Sequence, residues 1–419
     1  MSVAPAQKQL AADKVAFLKT KPLADVLAVL NGGGEETRAV GGAVRNLMLG
    51  LPLAEIDLAT TMPPKAVIDR VTAAGFKAVP TGIEHGTITV VADGKPFEVT
   101  SLREDIETDG RHAVVRFGRD WKNDAARRDF TINAMSLSGD GAVHDYCGGL
   151  ADVEARRVRF IGNADRRIAE DYLRVLRFFR FFAAYGEGDI DREGYLACAR
   201  ARDKLGALSR ERIRAEILKT LTARRAADAI TAMADAGIYD RVFANAPELP
   251  ALSRLALIEQ SNEMAPDAVR RLAAVAVRLA EDATHLRERL RLTNEEYRRL
   301  ASIGDSWWRL VPARGEAYAK ETLYRIGAEE YSDRALISFA RSSASLADEK
   351  WGALLSLPSR WTAPRFPLAA DDFIKRGVEK GPRLGKVLAA AEAAWIAAHF
   401  TGDAAALSRI ADSTTSSIP

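Results

Sequence analysis

Hydrophobic and polar positions change their period once along this chain. Up to about residue 150, short apolar runs of β type recur at Thr37 to Val40, Ile56 to Ala59, Thr87 to Val91 and Phe97 to Ser101, separated by turn-forming residues. Ahead of them, Lys14 to Leu30 sets apolar side chains at helical spacing and runs into Asn31-Gly32-Gly33-Gly34, a sequence suited to a helix end. Pro64 to Ala74 reads as a further helix, so this part is expected to form a compact α+β domain ending near Gly149.

From about residue 155 to Leu407 nearly every stretch places Ala, Leu, Arg and Glu at helical spacing, which predicts an all-α remainder. Breaks fall at Tyr185-Gly186-Glu187-Gly188, Ala246-Pro247-Glu248-Leu249-Pro250 and Leu357-Pro358-Ser359, the expected joints between helical subdomains. Thr293-Asn294-Glu295-Glu296 has the form of a capping box. The small polar residues at the C-terminus, 413–419, are expected to be disordered. The expected segments are therefore an N-terminal helix at 1–34, an α+β head at 35–155, a helical segment at 156–225 and a longer helical part at 226–412.

Composition narrows the function classes. With 419 residues, 47% hydrophobic and 28% charged, the chain has the make-up of a globular protein of several domains. Its formal charge of +3 is too small for a strong global field, so any nucleic-acid surface must arise from local clustering of Lys and Arg. Cys147 and Cys198 belong to no CxxC or Cys/His cluster, which argues against a disulfide scaffold or zinc site and fits a reducing cytoplasm. No segment reads as a signal peptide or a membrane span, and nothing calls for an obligate protein partner.

The chemistry begins at Val40-Gly41-Gly42-Ala43-Val44-Arg45-Asn46, a strand passing through paired glycines into a short helix. Gly41 and Gly42 let backbone approach a triphosphate, and the helix N-terminus with Arg45 supplies positive potential. A plain tight turn has the same pattern. Downstream, Glu55-Ile56-Asp57 places two carboxylates two residues apart, on one face if the segment is a strand, where they can share hard divalent cations with phosphate oxygens. A solvated acidic pair at a strand end would look alike. Glu98, on a later strand, is a third carboxylate able to flank such metals.

Two further clusters follow. In Arg127-Arg128-Asp129-Phe130-Thr131, Arg128 suits phosphate or ribose and Asp129 suits a ribose hydroxyl, although an Arg-Asp pair capping a helix reads the same way. In Glu170-Asp171-Tyr172-Leu173-Arg174-Val175-Leu176-Arg177-Phe178-Phe179-Arg180, polar residues recur every third position, forming a drifting stripe of Asp171, Arg174, Arg177 and Arg180. Cytosine and adenine both present an amine donor beside a ring-nitrogen acceptor. A carboxylate facing the amine and a guanidinium facing the ring nitrogen would therefore accept C and A alike. Guanine and uracil would leave polar atoms unpaired, at roughly 1–3 kcal/mol each. A solvated helix face with one ion pair remains the other reading.

Taken in order, these elements resemble the class II tRNA nucleotidyltransferases and bacterial poly(A) polymerases of the DNA polymerase β-like superfamily. Gly41 to Asn46, Glu55 to Asp57, Arg127 to Thr131 and Glu170 to Arg174 match four family motifs, and Ser209-Arg210-Glu211-Arg212-Ile213 with Glu216 and Lys219 resembles the fifth. The resemblance implies a nucleotidyltransferase head, a neck at 156–225 that reads the base, and a body and tail that grip tRNA. By the same resemblance Glu55 and Asp57 are the catalytic metal ligands for Mg²⁺, with Glu98 a further candidate. Gly41, Gly42, Arg45, Arg128 and Asp129 would bind the nucleotide, as would Asp171, Arg174, Arg177 and Arg180. The implied reaction is addition of C, C and A to tRNA from CTP and ATP. Poly(A) addition and an inactive RNA-binding relative are the alternatives.

Two positions depart from the family pattern, since Glu55 stands for its first metal-binding Asp and Asn46 for the Asp after the motif Arg. Arg103-Glu104-Asp105 and Asp109-Gly110-Arg111-His112-Ala113 resemble the flexible loop that members use in switching to A addition, and Thr81 to Thr87 looks more like the CCA-adding members. In the helical tail, His285, Arg287, Arg289, Arg291, Arg298 and Arg299 crowd together as an RNA-backbone surface, or with Glu281, Glu288, Glu295 and Glu296 as a salt-bridged helix face.

Overall fold

The computed structural model describes residues 5–53, 55–108 and 113–418, with backbone alone for 104–108 and 113–116. The chain divides into two compact units at the Pro247-Glu248 peptide, one of the expected joints. The first holds the residues up to Pro247 with Arg289–Arg291, and the second Glu248–Glu288 with Leu292–Pro419.

The first unit is built on a sheet whose described strands are β1 (Ala6–Gln9), β2 (Thr37–Val40), β3 (Asp57–Thr60), β4 (Lys77–Gly82), β5 (Thr87–Ala92) and β6 (Lys95–Ser101), together with two from a later hairpin. Between them, β7 (Arg103–Thr108) and β8 (Ala113–Phe117) pair with each other only, and β9 (Ser136–Leu137) and β10 (Ala142–Asp145) complete the sheet in the order β1-β10-β9-β2-β3-β6-β5-β4. Pairing is antiparallel except between β3 and β6. Strict alternation along β5 buries Ile88, Val90 and Ala92 on one face. That face is covered by α1 (Leu23–Leu30) and α3 (Pro64–Ala73), which contribute the fully buried Val26, Leu30, Val67 and Val71. Between these two, α2 (Gly42–Leu49) follows β2 directly.

Helices then take over. They include α4 (Trp121–Ala126), α5 (Gly149–Glu154), α6 (Ala164–Glu170), α7 (Leu173–Tyr185), α8 (Arg192–Ala201) and α9 (Arg210–Leu221). Along α7 the apolar residues Val175, Leu176, Phe178, Phe179 and Phe182 recur at helical spacing and are buried. Phe130 packs on Phe160 and Phe181, with ring centroids 4.9 and 5.0 Å apart, and so fastens the Arg127-Arg128-Asp129 segment to α7.

Among its described residues the second unit contains helices joined by loops, and no strand. At its centre Asp333, fully buried, accepts hydrogen bonds from Arg270 (2.9 Å) and Arg299 (2.8 Å), while Glu259 accepts from Arg271 at 2.7 Å. The expected capping box is present at Thr293 and Glu296.

Several expectations need correction. The helix expected over Lys14 to Leu30 is a 3₁₀ turn at Ala16–Lys19 followed by α1, because Thr20 is extended and Pro22, which has no N–H and disfavours helix in the residue before it, stands at the start of α1. The same N-terminal segment also supplies β1, whose side chains are all exposed and so leave no apolar alternation to read. Leu357-Pro358-Ser359 is a helical turn, Leu357–Arg360, with proline in the first turn where its missing N–H is harmless. The disorder expected at 413–419 is replaced through Ser417 by a helix, Ala404–Ser417, capped by Asp403 and anchored by the buried Ala411 and Thr414. The loop expected between Arg103 and Arg116 contains the antiparallel strands β7 and β8, and its centre, Asp109–His112, lies outside the described residues.

Candidate active site

Strand β2 ends at Val40, paired with Asp57 on β3, and the chain turns at Gly41 into α2. Gly41 has φ +66° and ψ −123°, a backbone state that side chains resist, and a Cβ there would stand 3.2 Å from Nη1 of Arg128. Because β2 stops at Val40, there is no ladder partner for Ile56 or Glu55. The third strand therefore starts at Asp57, later than the apolar pattern suggested, and Glu55 precedes it.

Leu58 and Val99 are register partners in the parallel pair, which sets Asp57 and Glu98 side by side. Burial first, then the charges of Glu98 and Glu55, hold the Asp57 carboxyl above its ordinary range, while Arg128 opposes them. Asp57 borders two adjoining hollows, one shared with Glu55 and Glu98 and the other a cleft of about 440 Å³.

That cleft collects most of the expected residues. Gly41, Gly42, Arg45, Asp57, Arg128, Asp129, Asp171, Arg174 and Arg177 all line it. Arg45 is buried and its donors are largely committed, with Nη1 on Asn133 Oδ1 at 2.6 Å and Nη2 on the Tyr185 hydroxyl at 2.8 Å. Arg128 is braced by Asp124 Oδ2 at 3.2 Å, and Arg127 by Asp124 Oδ1 at 2.6 Å. The Asp129 carboxylate receives Arg177 on one oxygen, and Asn133 with the Phe130 amide on the other. Together these hold it below the usual carboxylate range despite burial.

The stripe on α7 is wired differently from its linear spacing. Asp171, at the mouth of α7, accepts from the Leu173 amide on Oδ1 and from Arg212 Nη2 on Oδ2 at 2.7 Å. Arg174 donates to Glu170 at 2.6 Å and to the Arg167 carbonyl at 2.7 Å. Arg180 does not line the cleft. It pairs with Glu216 at 2.5 Å and stacks on Phe181. Arg212, Asp124, Asn133 and Phe181 were not among the expected site residues. The spacing of Asp124 from Arg127 and Arg128 on α4 was a readable signal, whereas Arg212 lies 41 positions from its partner.

The tail arginines are mostly occupied. Arg299 is buried between Asp333 and Asp267, Arg298 pairs with Glu330 at 3.3 Å, and Arg289 donates to the carbonyls of Arg241 and Val242. Arg298 and Arg299 are thus paired with Glu329, Glu330, Asp267 and Asp333, carboxylates outside the set expected for either reading of that region.

The sequence matches two known domain families, the poly A polymerase head domain over residues 37–159 and the probable RNA and SrmB-binding site of polymerase A over residues 189–252. The mitochondrial CCA tRNA nucleotidyltransferase 1 of Mus musculus is 34% identical over 378 residues, covering 90% of this chain and 85% of its own. The chain belongs to the CCA-adding tRNA nucleotidyltransferase family. A CCA-adding enzyme of Streptococcus pyogenes is 30% identical over 398 residues, covering 92% of this chain and 94% of its own. The Bacillus stearothermophilus CCA-adding enzyme, solved with CTP, superposes with a TM-score of 0.74 at 26% identity, over 91% of this chain and 94% of that one.

Nucleotidyltransferases of this family use a divalent metal. Among the described residues no three acidic, His or Cys side chains converge into a ready-made cage. The donors expected from the sequence, Glu55, Asp57 and Glu98, are a mutually repelling group. It fits a hard cation that takes one or two carboxylates and completes its shell with substrate phosphates and water. Asn46, where the family has Asp, accepts from Arg45 at 2.9 Å and donates to the Pro52 carbonyl at 3.0 Å, bracing α2 without a charge.

Proposed function

We propose that this chain adds C, C and A in turn to the 3′ end of tRNA, taking CTP and ATP and releasing pyrophosphate. The observation that carries this reading is the sharing of one cleft by Asp57 and the Asp171, Arg174 and Arg177 stripe, so that a single bound nucleotide reaches both. Gly41 and Gly42 admit the triphosphate to the backbone, with Arg128 beside them. Asp171 and Arg174 face the base edge, the carboxylate toward an amine and the guanidinium toward a ring nitrogen, which suits C and A and mismatches G and U.

In the reaction the primer 3′-oxygen bonds to the α-phosphorus as the bond to the β-phosphate oxygen breaks, and pyrophosphate leaves. Glu55 and Asp57 would hold Mg²⁺, which supplies charge neutralisation at the phosphates and a lowered pKa for the primer hydroxyl. Arg128 and the α2 N-terminus orient the triphosphate, and the Asp129–Arg177 pair keeps α7 at a fixed distance from it. Two unpaired thiols, Cys147 and Cys198, agree with work in the reducing cytoplasm. Among the described residues no helix is long and apolar enough to cross a membrane.

The test is primer extension of tRNA lacking its CCA end, with Mg²⁺ and each NTP singly and together. Three nucleotides followed by arrest are expected. Unlimited tailing of a generic RNA with ATP alone would replace this reading by poly(A) synthesis.

A further inference from the structure

One cavity lies in the second unit, far in sequence from the motifs that line the cleft. It measures about 700 Å³ and is lined by Arg254, Arg278, Leu279, Trp307, Trp308 and Arg341 among others. Its construction is specific. Gly304 lets the helix Asn294–Ser306 lie directly on the Leu279 backbone, where a Cβ would come within 2.5 Å of the Leu279 carbonyl oxygen. That contact delivers the next two residues, Trp307 and Trp308, to the cavity. Trp307 is pinned by its Nε1 donating to the Arg278 carbonyl at 3.0 Å. Trp308 stands at 89° to it and leaves 42% of its surface exposed.

The charge in this cavity is unbalanced. The Arg341 guanidinium lies 4.5 Å from the Trp307 ring and gives Nη2 to the carbonyl of Val277 at 2.6 Å, but its Nε and Nη1 are buried without any acceptor. Burial, with Arg278 as a neighbouring positive charge, pushes its pKa down to about 10. Arg278 keeps 65% of its side chain exposed and pairs with Glu248, the one carboxylate in the lining. In the lining three arginines stand against one acid, with Asp282 a second carboxylate nearby that accepts the Arg278 backbone N–H. The enclosed nitrogens of Arg341 keep its charge without a bonded counter-ion, and that charge favours an anion in the cavity through the field rather than by direct contact. An exposed indole beside arginines is the combination that holds a base by stacking and its phosphate by charge.

We propose that this cavity is a second nucleotide site, which takes one unpaired phosphate-bearing nucleotide with its base on Trp308 and its phosphate toward Arg278 and Arg341. The source is a nucleotide of the bound tRNA or a free nucleoside monophosphate; the chemistry is shared. The RNA source rests on the function proposed above.

The experiment compares the full chain with Trp308→Ala and Arg278→Gln, both changes at exposed side chains, with thermal melting to establish that each variant is folded. Dissociation constants are measured without CTP or ATP for tRNA lacking CCA, and separately for AMP by equilibrium dialysis. If the site reads tRNA, each variant weakens tRNA binding about tenfold or more. If it takes the free nucleotide, wild type binds AMP at a position that Arg174→Ala leaves intact and Trp308→Ala removes. Unchanged binding of both ligands in folded variants overturns the proposal. Since no addition is measured, failure of the CCA reading would leave this result standing, and the reverse holds as well.

Discussion

Arg177 donates from Nε and Nη2 to one oxygen of Asp129, at 2.7 and 2.5 Å, and thereby ties helix α7 to the segment that carries Arg128. The other Asp129 oxygen is filled by the Phe130 amide and Asn133. This carboxylate is a brace between two walls of the cleft. Removing one member of a buried pair leaves the other uncompensated, so Asp129→Ala is expected to lose about 3–5 kcal/mol of stability in denaturant unfolding. The double variant with Arg177→Ala should lose less than the sum of the singles, which a double-mutant cycle measures directly.

The same pair sets an acid limit. Asp129 is depressed below its ordinary value by Arg177 first and by the Asn133 and Phe130 hydrogen bonds after it. A depressed folded-state pKa contributes stability that is complete above the unfolded carboxylate value and disappears as pH falls through the lower folded value. Wild type should therefore lose stability more steeply than Asp129→Asn as pH is lowered from 5 toward 2. Parallel curves for the two proteins would show that Asp129 has no such role.

Gly41→Ala puts a Cβ at a backbone angle fit for glycine and 3.2 Å from Nη1 of Arg128. The strain is about 1–3 kcal/mol, and its relief moves either the turn or Arg128, proposed above to orient the triphosphate. The expected outcome is a rise in KM for CTP and ATP together, without a change in the ratio between them. Gly42→Ala, whose Cβ would stand 3.5 Å from Arg45 Nη2, should be milder.

How much of this was readable beforehand follows from the range of each interaction. The runs at Thr37 to Val40 and Thr87 to Val91 became strands because alternation and β-branched residues act locally, and Pro64 to Ala74 became α3 for similar reasons. Cleft residues were legible as ordered motifs, each a short segment with its own turn or helix chemistry. What stayed hidden was pairing across the chain: Asp171 with Arg212, Arg180 with Glu216, and Arg299 with Asp267 and Asp333. A linear stripe cannot tell a cation facing solvent from one that meets a carboxylate dozens of residues away. β1 was missed because an edge strand with no buried side chain carries no pattern.

Metal dependence is the next expected outcome. Chelation with EDTA should stop addition, with Mg²⁺ restoring it. Asp57→Asn, placed where the cleft and the Glu55–Glu98 hollow meet, should lower kcat by about a thousandfold or more, the scale of several kcal/mol at the transition state. Glu55→Asp restores the residue found in the family pattern and is expected to stay active, whereas Glu55→Gln should fall with Asp57→Asn. Full activity of Glu55→Gln would remove Glu55 from the ligand set.

Base choice should depend on a residue outside the helical stripe. Asp171 spends Oδ1 on the Leu173 amide and Oδ2 on Arg212, so its carboxylate is aimed by both ends before any nucleotide arrives. Arg174 is likewise held by Glu170 and the Arg167 carbonyl. On the proposed function, deleting the Asp171 carboxylate would abolish the acceptor for the C or A amine and remove the mismatch for G and U. Asp171→Ala is therefore expected to narrow the CTP over UTP preference by about 10- to 100-fold, equivalent to roughly 1–3 kcal/mol. Arg212→Ala keeps that carboxylate but frees its aim, so it should raise KM for CTP and ATP alike and relax selectivity by a smaller factor, with Arg212→Lys restoring part of it. Single-nucleotide incorporation measured with all four NTPs separates the two effects. Unchanged selectivity in Arg212→Ala would mean that the Leu173 amide alone orients Asp171.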